Sequence, residues 1–292
     1  MFRSVCFALA ALTTAGLCSG ANAQSFATIG SGKLLLTGGV SQIEGSAGGG
    51  LTPWAVIGGY ESDDQIGANA YATDVKTTDY DIRSTGALVG FYNRVEFSYS
   101  RQAFNTQAVG AALGLGQGYT INQDTLGVKL RLFGDAILDQ DHWWPQVSIG
   151  AQFKKNDKIG LVEALGARRG KDTDLYVSAS KLYLANSLLV NATLRSTRAN
   201  QYGILGFGGI DDKHHLQGEG SIAYLLNRHV AIGAEVRTKP DNLAVAREGS
   251  AYDAFVAWAP CKALSFTLAY ADLGNVVTRR QTGTYISMQV GF

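Results

Sequence analysis

Apolar and polar residues alternate in segment after segment of this chain, and no other feature of the sequence constrains the fold as strongly. In Arg94–Ser100 (RVEFSYS) and Thr125–Leu132 (TLGVKLRL), every second residue is apolar and the residues between are small, polar or charged. The same pattern recurs at residues 146–153, 188–195, 230–237 and 264–270. A period of two is typical of a β-strand with one apolar and one polar face. The sequence therefore predicts an all-β protein.

The N-terminus predicts export. Met1–Arg3 is a short basic start, Val5–Leu17 is apolar, and Ala21–Ala23 offers an A-x-A cleavage site, which together describe a secretory signal peptide. An apolar run of ~13 residues is too short for a membrane-spanning helix. We expect residues 1–23 to be removed and residues 24–292 to form one exported domain.

The exported part contains no apolar stretch of helical transmembrane length. An exported chain that is embedded in lipid without such stretches has to form a closed β-barrel. The polar faces are rich in Gly, Ser, Thr and Ala with scattered charges, which suits a confined lumen better than the water-facing side of a β-sandwich. Apolar-out and polar-in segments of about ten residues indicate a transmembrane antiparallel β-barrel of the bacterial outer membrane.

The strand number follows from the spacing of turns. Short candidate turns alternate with longer polar stretches, as they do between the two ends of such barrels. The short turns are Tyr92–Arg94, Ala185–Ser187, Leu226–Arg228 and Pro260–Lys262. Counting back from Phe292 predicts about fourteen strands, the first near Lys33–Ile43. Because the stretch Tyr60–Asp81 is ambiguous, twelve strands are the alternative.

The chain ends inside a predicted strand, with four apolar residues on one face: Ile286, Met288, Val290 and Phe292. In a closed barrel the last strand pairs with the first, so such an ending leaves no free edge. The ending also resembles the C-terminal strand signal of bacterial outer-membrane proteins. This resemblance implies recognition by the barrel-assembly machinery, although Val290 stands where an aromatic residue is common.

Several longer strings resemble one protein family. They are GKLLLTGGV (Gly32–Val40), GGGLTPWAVIGGY (Gly48–Tyr60), FKKNDK (Phe153–Lys158), RTKPDNL (Arg237–Leu243) and YADLGN (Tyr270–Asn275). The chain is similar over its whole mature length to an uncharacterised proteobacterial family catalogued as domain of unknown function 3034. The resemblance implies a place in the outer membrane and brings neither an activity nor site residues.

Charges on the predicted polar faces are the candidate functional residues. They are Arg94, Glu96, Lys129, Arg131, Arg195, Glu219, Glu235 and Arg237. Charges of both signs can line an aqueous pore and set its selectivity, and fourteen strands should leave some opening. We therefore predict a porin-like channel for passive diffusion of small solutes. The alternative is a closed barrel in which these charges pair across the lumen and the role is structural or a surface interaction.

Neither a catalytic nor a cofactor site is predicted. Gly30–Lys33 lacks the hydroxyl that a P-loop requires, and no G-x-S-x-G motif occurs. The acidic and histidine cluster Asp211–His215 suits a solvated loop better than a metal site, because neighbouring strand residues point to opposite sides. A membrane-embedded hydrolase that uses His214 or His229 is the less favoured alternative. We expect no enzyme activity, no cofactor and no metal.

Charge bears on the partners. After loss of residues 1–23, whose one charged residue is Arg3, Lys and Arg number 24 and equal the 24 Asp and Glu. This balance does not favour nucleic acid as a partner. The predicted loop Lys154–Asp172 is locally basic, could form a short helix, and could contact lipopolysaccharide phosphates. A merely solvated loop is the alternative, and outer-membrane lipid is the expected surrounding.

Overall fold

Twelve antiparallel strands close into a barrel in the computed structural model, which describes residues 32–277 and 279–292. Each strand pairs with its neighbours in sequence, and the last strand closes on the first, from Gly291 opposite Asn69 to Gly283 opposite Thr77. The wall strands are β3 (Ile66–Thr77), β4 (Asp81–Phe91), β5 (Val95–Asn105), β6 (Thr120–Phe133), β7 (Gln146–Asn156), β8 (Lys171–Tyr183), β9 (Leu188–Thr197), β10 (His215–Asn227), β11 (Val230–Arg237), β12 (Ala251–Cys261), β13 (Leu264–Val276) and β14 (Arg279–Gly291).

The predicted antiparallel barrel is confirmed, but the leading count of fourteen strands is wrong and the alternative of twelve is right. Residues 33–43 are not a wall strand, and the first wall strand begins at Ile66, inside the stretch that was ambiguous. The reason is that residues 41–60 are all buried, polar and apolar alike, whereas a wall strand buries only one face. The predicted signal peptide, residues 1–23, lies outside the described residues.

The two ends of the barrel differ. At one end, which we call the short-turn end, tight turns near residues 92–94, 184–187, 228–229 and 262–263 join the strands, and residues 134–145 form a longer loop. At the other, the long-loop end, lie residues 106–119, 157–170, 198–214 and 238–250. The longer polar stretch that the sequence suggests at Asp272–Gln281 is mostly strand, because β13 runs to Val276 and β14 begins at Arg279.

Two short helices interrupt the long loops. Helix α1 (Gln107–Ala112) follows β5, and helix α2 (Ile159–Ala164) follows β7, within the basic segment for which a short helix was considered. None of the helices in the described part of the chain is long and apolar enough to cross a membrane. A 3₁₀ turn (Asn200–Gly203) lies in the loop after β9.

The wall has an exposed apolar face and a buried polar face. On β5, Phe97 and Tyr99 point outward and are about half exposed, whereas Glu96 and Ser98 point inward and are buried. The same inversion holds around the barrel, with exposed outward side chains at Leu126, Phe153, Leu175, Leu194, Ile222, Val256, Leu268 and Ile286. A contiguous apolar exterior of this kind needs apolar surroundings.

The interior of the barrel is filled by the chain's own N-terminal part. Every residue from Ser41 to Tyr60 is buried. This stretch contains a small hairpin of strands β1 (Val40–Ser41) and β2 (Ala47–Gly48). The segment returns to the short-turn end, where the Tyr60 amide donates to the Phe292 carbonyl at 3.4 Å. We call residues 32–65 the plug.

The seam between β14 and β3 generates a test of barrel closure. A Cβ atom at Gly283 would stand 1.8 Å from the Lys76 carbonyl oxygen, whereas the space around Gly218 on β10 is open. We expect Gly283→Val to destabilise the folded barrel by roughly 1–3 kcal/mol, because overpacking against backbone forces the strands apart. Urea unfolding of the refolded protein, followed by its heat-dependent gel shift, measures the effect. Gly218→Val is the matched control, and equal stability of the two variants would contradict the described seam.

Candidate functional site: the plugged lumen

Six of the eight candidate charges lie on wall strands, point into the barrel and are almost fully buried: Glu96, Lys129, Arg195, Glu219, Glu235 and Arg237. The other two, Arg94 and Arg131, lie near the short-turn end and are less buried. Arg94 belongs to the exposed turn between β4 and β5 and donates to the Arg131 and Leu132 carbonyls, because the strand begins one residue later. Arg131 lies near the short-turn end of β6, where its Nε donates to the Gly134 carbonyl at 2.7 Å.

Glu96 and Lys129 form an ion pair that is hydrogen-bonded to the plug. They stand opposite each other on β5 and β6, with Lys129 Nζ 3.1 Å from Glu96 Oε2. Lys129 also donates to the plug carbonyls of Ala47 at 2.9 Å and Val56 at 3.0 Å. Glu96 accepts from the plug amides of Ala47 at 3.1 Å and Gly58 at 2.9 Å. The buried ion pair is therefore satisfied only while the plug is in place.

A closed ring of six alternating charges surrounds the tip of the plug. Glu44, in the β1–β2 turn, contacts Lys154 on β7 and accepts from Arg237 on β11 at 2.8 Å. The ring runs Glu44, Lys154, Asp174, Arg195, Glu219, Arg237 and back to Glu44. The wall contributes three cations and two carboxylates, and the plug supplies the third carboxylate. Without Glu44, the ring would hold one uncompensated positive charge at a buried position.

Glu235 on β11 binds the plug at Leu51 and Thr52. Its carboxylate accepts from the Leu51 amide at 2.7 Å, the Thr52 hydroxyl at 2.5 Å and the Ser221 hydroxyl at 2.7 Å. The plug backbone approaches so closely that a Cβ atom at Gly49 would stand 1.9 Å from Glu235 Oε1. Only glycine fits at that position without displacing the carboxylate.

Plug carbonyls that have no strand partner are satisfied by the polar wall. The Pro53 carbonyl accepts from Thr193 Oγ1 at 2.9 Å, and the Ala55 carbonyl accepts from Gln146 Nε2 and Ser148 Oγ, both at 2.6 Å. The Ile43 carbonyl accepts in the same way from Ser84 and Gln102. The small polar residues of the inner face thus serve as partners for the irregular backbone inside the barrel.

The long-loop end is covered by residues 198–208, which we call the cap. The Tyr202 carbonyl accepts from Lys154 Nζ at 3.2 Å, and the Ile204 carbonyl accepts from Asn156 Nδ2 at 2.7 Å. The Tyr202 ring lies 4.2 Å from the Arg237 guanidinium. Plug and cap therefore meet at the ring of charges, and Lys154 contacts both.

The cap is also bound to the loop after β11. Glu248 accepts from the Gln201 amide at 3.0 Å, and Lys239 donates to Gln201 Oε1 at 2.9 Å. Burial raises the pKa of the Glu248 carboxyl to about 7 and lowers the pKa of Lys239. The Glu248 carboxyl, which accepts the hydrogen bond from the Gln201 backbone amide, therefore changes its charge near neutral pH.

Sequence analysis missed the plug's own charges, Lys33, Glu44 and Glu61, of which Lys33 and Glu61 pair at 2.9 Å. One available signal was glycine density, since eight glycines lie between residues 38 and 59 and allow close backbone approach. Lys154 could also have been found, because the alternation of β7 continues to it and turns it inward.

The ring generates a stability prediction. We expect Glu44→Gln to lower the free energy of unfolding by about 3–5 kcal/mol, because Lys154 and Arg237 lose a buried carboxylate partner. Glu163→Gln, on the exposed side of α2, is the matched control and should change stability by less than about 0.5 kcal/mol. Urea unfolding of both variants gives the comparison, and equal stabilities would refute the role assigned to Glu44.

Comparison with solved structures finds similar barrels at low sequence identity. A KdgM porin is 10% identical with a TM-score of 0.52, over 77% of this chain and 99% of that chain. A NanC porin is 11% identical with a TM-score of 0.48, over 76% of this chain and 98% of that one. An outer membrane phospholipase A mutant from Escherichia coli is 11% identical with a TM-score of 0.45, over 76% and 89%. The likeness to the KdgM porin shows a shared barrel fold.

A search of curated protein sequences found no match. A family model does match, over residues 37–289, and so covers the plug from residue 37 onward and the complete wall except the last residues of β14. Its description is "Protein of unknown function (DUF3034)", and the resemblance inferred from the sequence is thereby confirmed. The chain belongs to the DUF3034 family.

Proposed function

We propose that this protein is an outer-membrane β-barrel that its own N-terminal plug keeps closed, with a structural or surface-interaction role in this closed state. The observation on which the proposal rests is the ring of six charges, which is neutral only when Glu44 of the plug completes it. A segment that supplies the balancing charge and whose residues 41–60 are all buried is an integral part of the interior.

The apolar exterior supports the outer-membrane location. Outward side chains such as Leu126 and Leu194 are more than half exposed, which is favourable in lipid and unfavourable in water. The predicted export signal and the barrel fold agree with this location. Lipid and lipopolysaccharide would then surround the wall, and the apolar face of the last strand would serve the barrel-assembly machinery.

Passive diffusion of small solutes, the function first predicted from the sequence, needs a change from this closed state. A conducting lumen exposes its lining to water, whereas Lys129, Arg195 and Arg237 are at most 2% exposed. The specific observation that favours a gated porin-like channel is the charged and hydroxyl-rich inner wall, which water could hydrate if the plug moved. Gated conduction is therefore the second candidate function.

We propose a non-enzymatic role without a cofactor. The alternative is a membrane-embedded hydrolase, and one contact between a serine and a histidine would be its site. Ser196 Oγ lies 3.2 Å from His214 Nδ1 on the exterior near the long-loop end, while Asp211 contacts the neighbouring His215 at 3.0 Å. A serine hydrolase needs a third group that orients the histidine bound to its serine, and here Asp211 contacts His215 rather than His214. Hydrolysis of phospholipid esters that is lost in Ser196→Ala would favour the hydrolase alternative.

Single-channel recording tests the closed state. We expect the refolded mature protein to give no stable current steps in a planar bilayer, because plug and cap fill the lumen. Deletion of residues 38–59 should produce steps, since it removes Glu44 and exposes the charged wall to water. The gel shift on heating confirms that each protein is folded before recording.

One result would count against the proposal and another against the second candidate function. Stable current from the complete chain would contradict a plug that closes the barrel at rest. A folded deletion variant that stays silent would contradict gated conduction, the second candidate, and would leave the structural role. Glu96→Ala in the deletion variant should shift selectivity towards anions, because it removes a carboxylate from the opened lumen.

A further inference from the structure

Six cationic residues lie between Lys154 and Asp172, and four of them have partners within the described residues. The four contacts are Lys154 with Glu44 and Asp174, Lys158 with Asp157, Arg169 with Asp212, and Arg168 with the Gly209 carbonyl. The ammonium groups of the other two, Lys155 and Lys171, form neither an ion pair nor a hydrogen bond with any part of the chain that the structure describes.

The two lysines are direct neighbours on the exterior of the barrel. Lys155 on β7 stands opposite Lys171 on β8 in the register, and both are exposed. Lys155 must point outward, because Lys154 before it points into the ring of charges. Like charges that stand directly opposite each other on adjacent strands are destabilising.

On the strands β3 to β6, near the long-loop end, the outward charges face opposite charges. Asp74 stands opposite Arg83, Lys76 stands opposite Asp81, and Arg101 pairs with Asp124 at 3.5 Å. Asp124 is also opposite Lys155 in the register, but its Oδ1 accepts from Tyr99 and Arg101. The two lysines therefore differ from the outward charges of β3 to β6, because they form a like-charge pair.

The surroundings of the pair select the kind of anion. Phe153, two residues before Lys155, is 51% exposed, and Leu175, four residues after Lys171, is 55% exposed. An anion bound by both ammonium groups would therefore sit at the border of the apolar exterior. A free phosphate gains nothing from apolar neighbours, whereas a phospholipid or phosphorylated glycolipid gains by laying acyl chains on them.

We propose that Lys155 and Lys171 bind a phosphate group of an outer-leaflet lipid, with Phe153 and Leu175 in contact with its acyl chains. The site rests on the proposed outer-membrane location. The phosphate neutralises the like-charge pair through two charge-assisted hydrogen bonds, which explains why the wall tolerates that pair. The chemistry that fits is that of a phosphorylated glycolipid such as lipid A.

Native mass spectrometry of the refolded mature protein in detergent with bisphosphorylated lipid A tests the site. We expect one preferentially bound lipid A, and about tenfold weaker binding by Lys155→Gln/Lys171→Gln, because both charged donors are lost. The matched control is Lys76→Gln/Arg83→Gln, which removes two outward cations at the same rim that stand opposite carboxylates. It should bind lipid A within about twofold of the unmodified protein, as expected for cations outside the site.

The outcomes of the lipid A experiment distinguish the ways in which the proposed site could be wrong. Equal loss of lipid A in both double variants would overturn the site, since binding would then follow overall charge. Displacement of lipid A by millimolar inorganic phosphate would overturn the lipid as the ligand and leave a free-anion site. Heat-dependent gel shift and bilayer recording on the same samples report the folded, closed barrel independently. A lipid-binding failure in a folded, silent barrel therefore rejects only this inference.

Discussion

The ring of six buried charges is the interaction on which the rest of the interior depends. It connects plug and wall through a closed series of ion pairs, in the order Glu44, Lys154, Asp174, Arg195, Glu219 and Arg237. Charges that are removed from water are tolerated only when they are fully paired. Because the wall alone has three cations and two carboxylates here, its electrostatics require the carboxylate that the plug brings. The cap then closes over the same ring through Lys154.

This dependence explains why the interior is polar although no water reaches most of it. The plug has little regular structure, so its amides and carbonyls need partners from outside the segment. Hydroxyl and amide side chains of the wall supply them, as at the Pro53 and Ala55 carbonyls. The inner face of a channel and the inner face of a plugged barrel can therefore have the same composition, and the composition alone does not distinguish them.

The wall could be predicted from the sequence because a strand with one apolar and one polar face has a strict period of two. The outward positions of Phe97 and Leu126 and the inward positions of Glu96 and Lys129 follow from that period alone. The plug could not be predicted in this way, because its residues 41–60 are buried on every face and their conformation is set by tertiary contacts. The sequence predicts a wall strand at the start of the plug, Lys33–Ile43, whereas the first wall strand of the structure begins at Ile66. Pairing between Glu44 and Arg237 spans distant parts of the chain and leaves no local signal.

A disulfide between plug and wall tests the central claim most directly. Thr52 Oγ1 and Ser221 Oγ lie 2.5 Å apart, so Thr52→Cys/Ser221→Cys, in a Cys261→Ser background, should form a disulfide. Peptide mapping of the folded, oxidised protein is expected to link residues 52 and 221. A control pair, Thr52→Cys with Ser98→Cys on β5 across the barrel, should stay reduced. Two free thiols in a folded Thr52→Cys/Ser221→Cys protein would contradict a plug seated in the lumen.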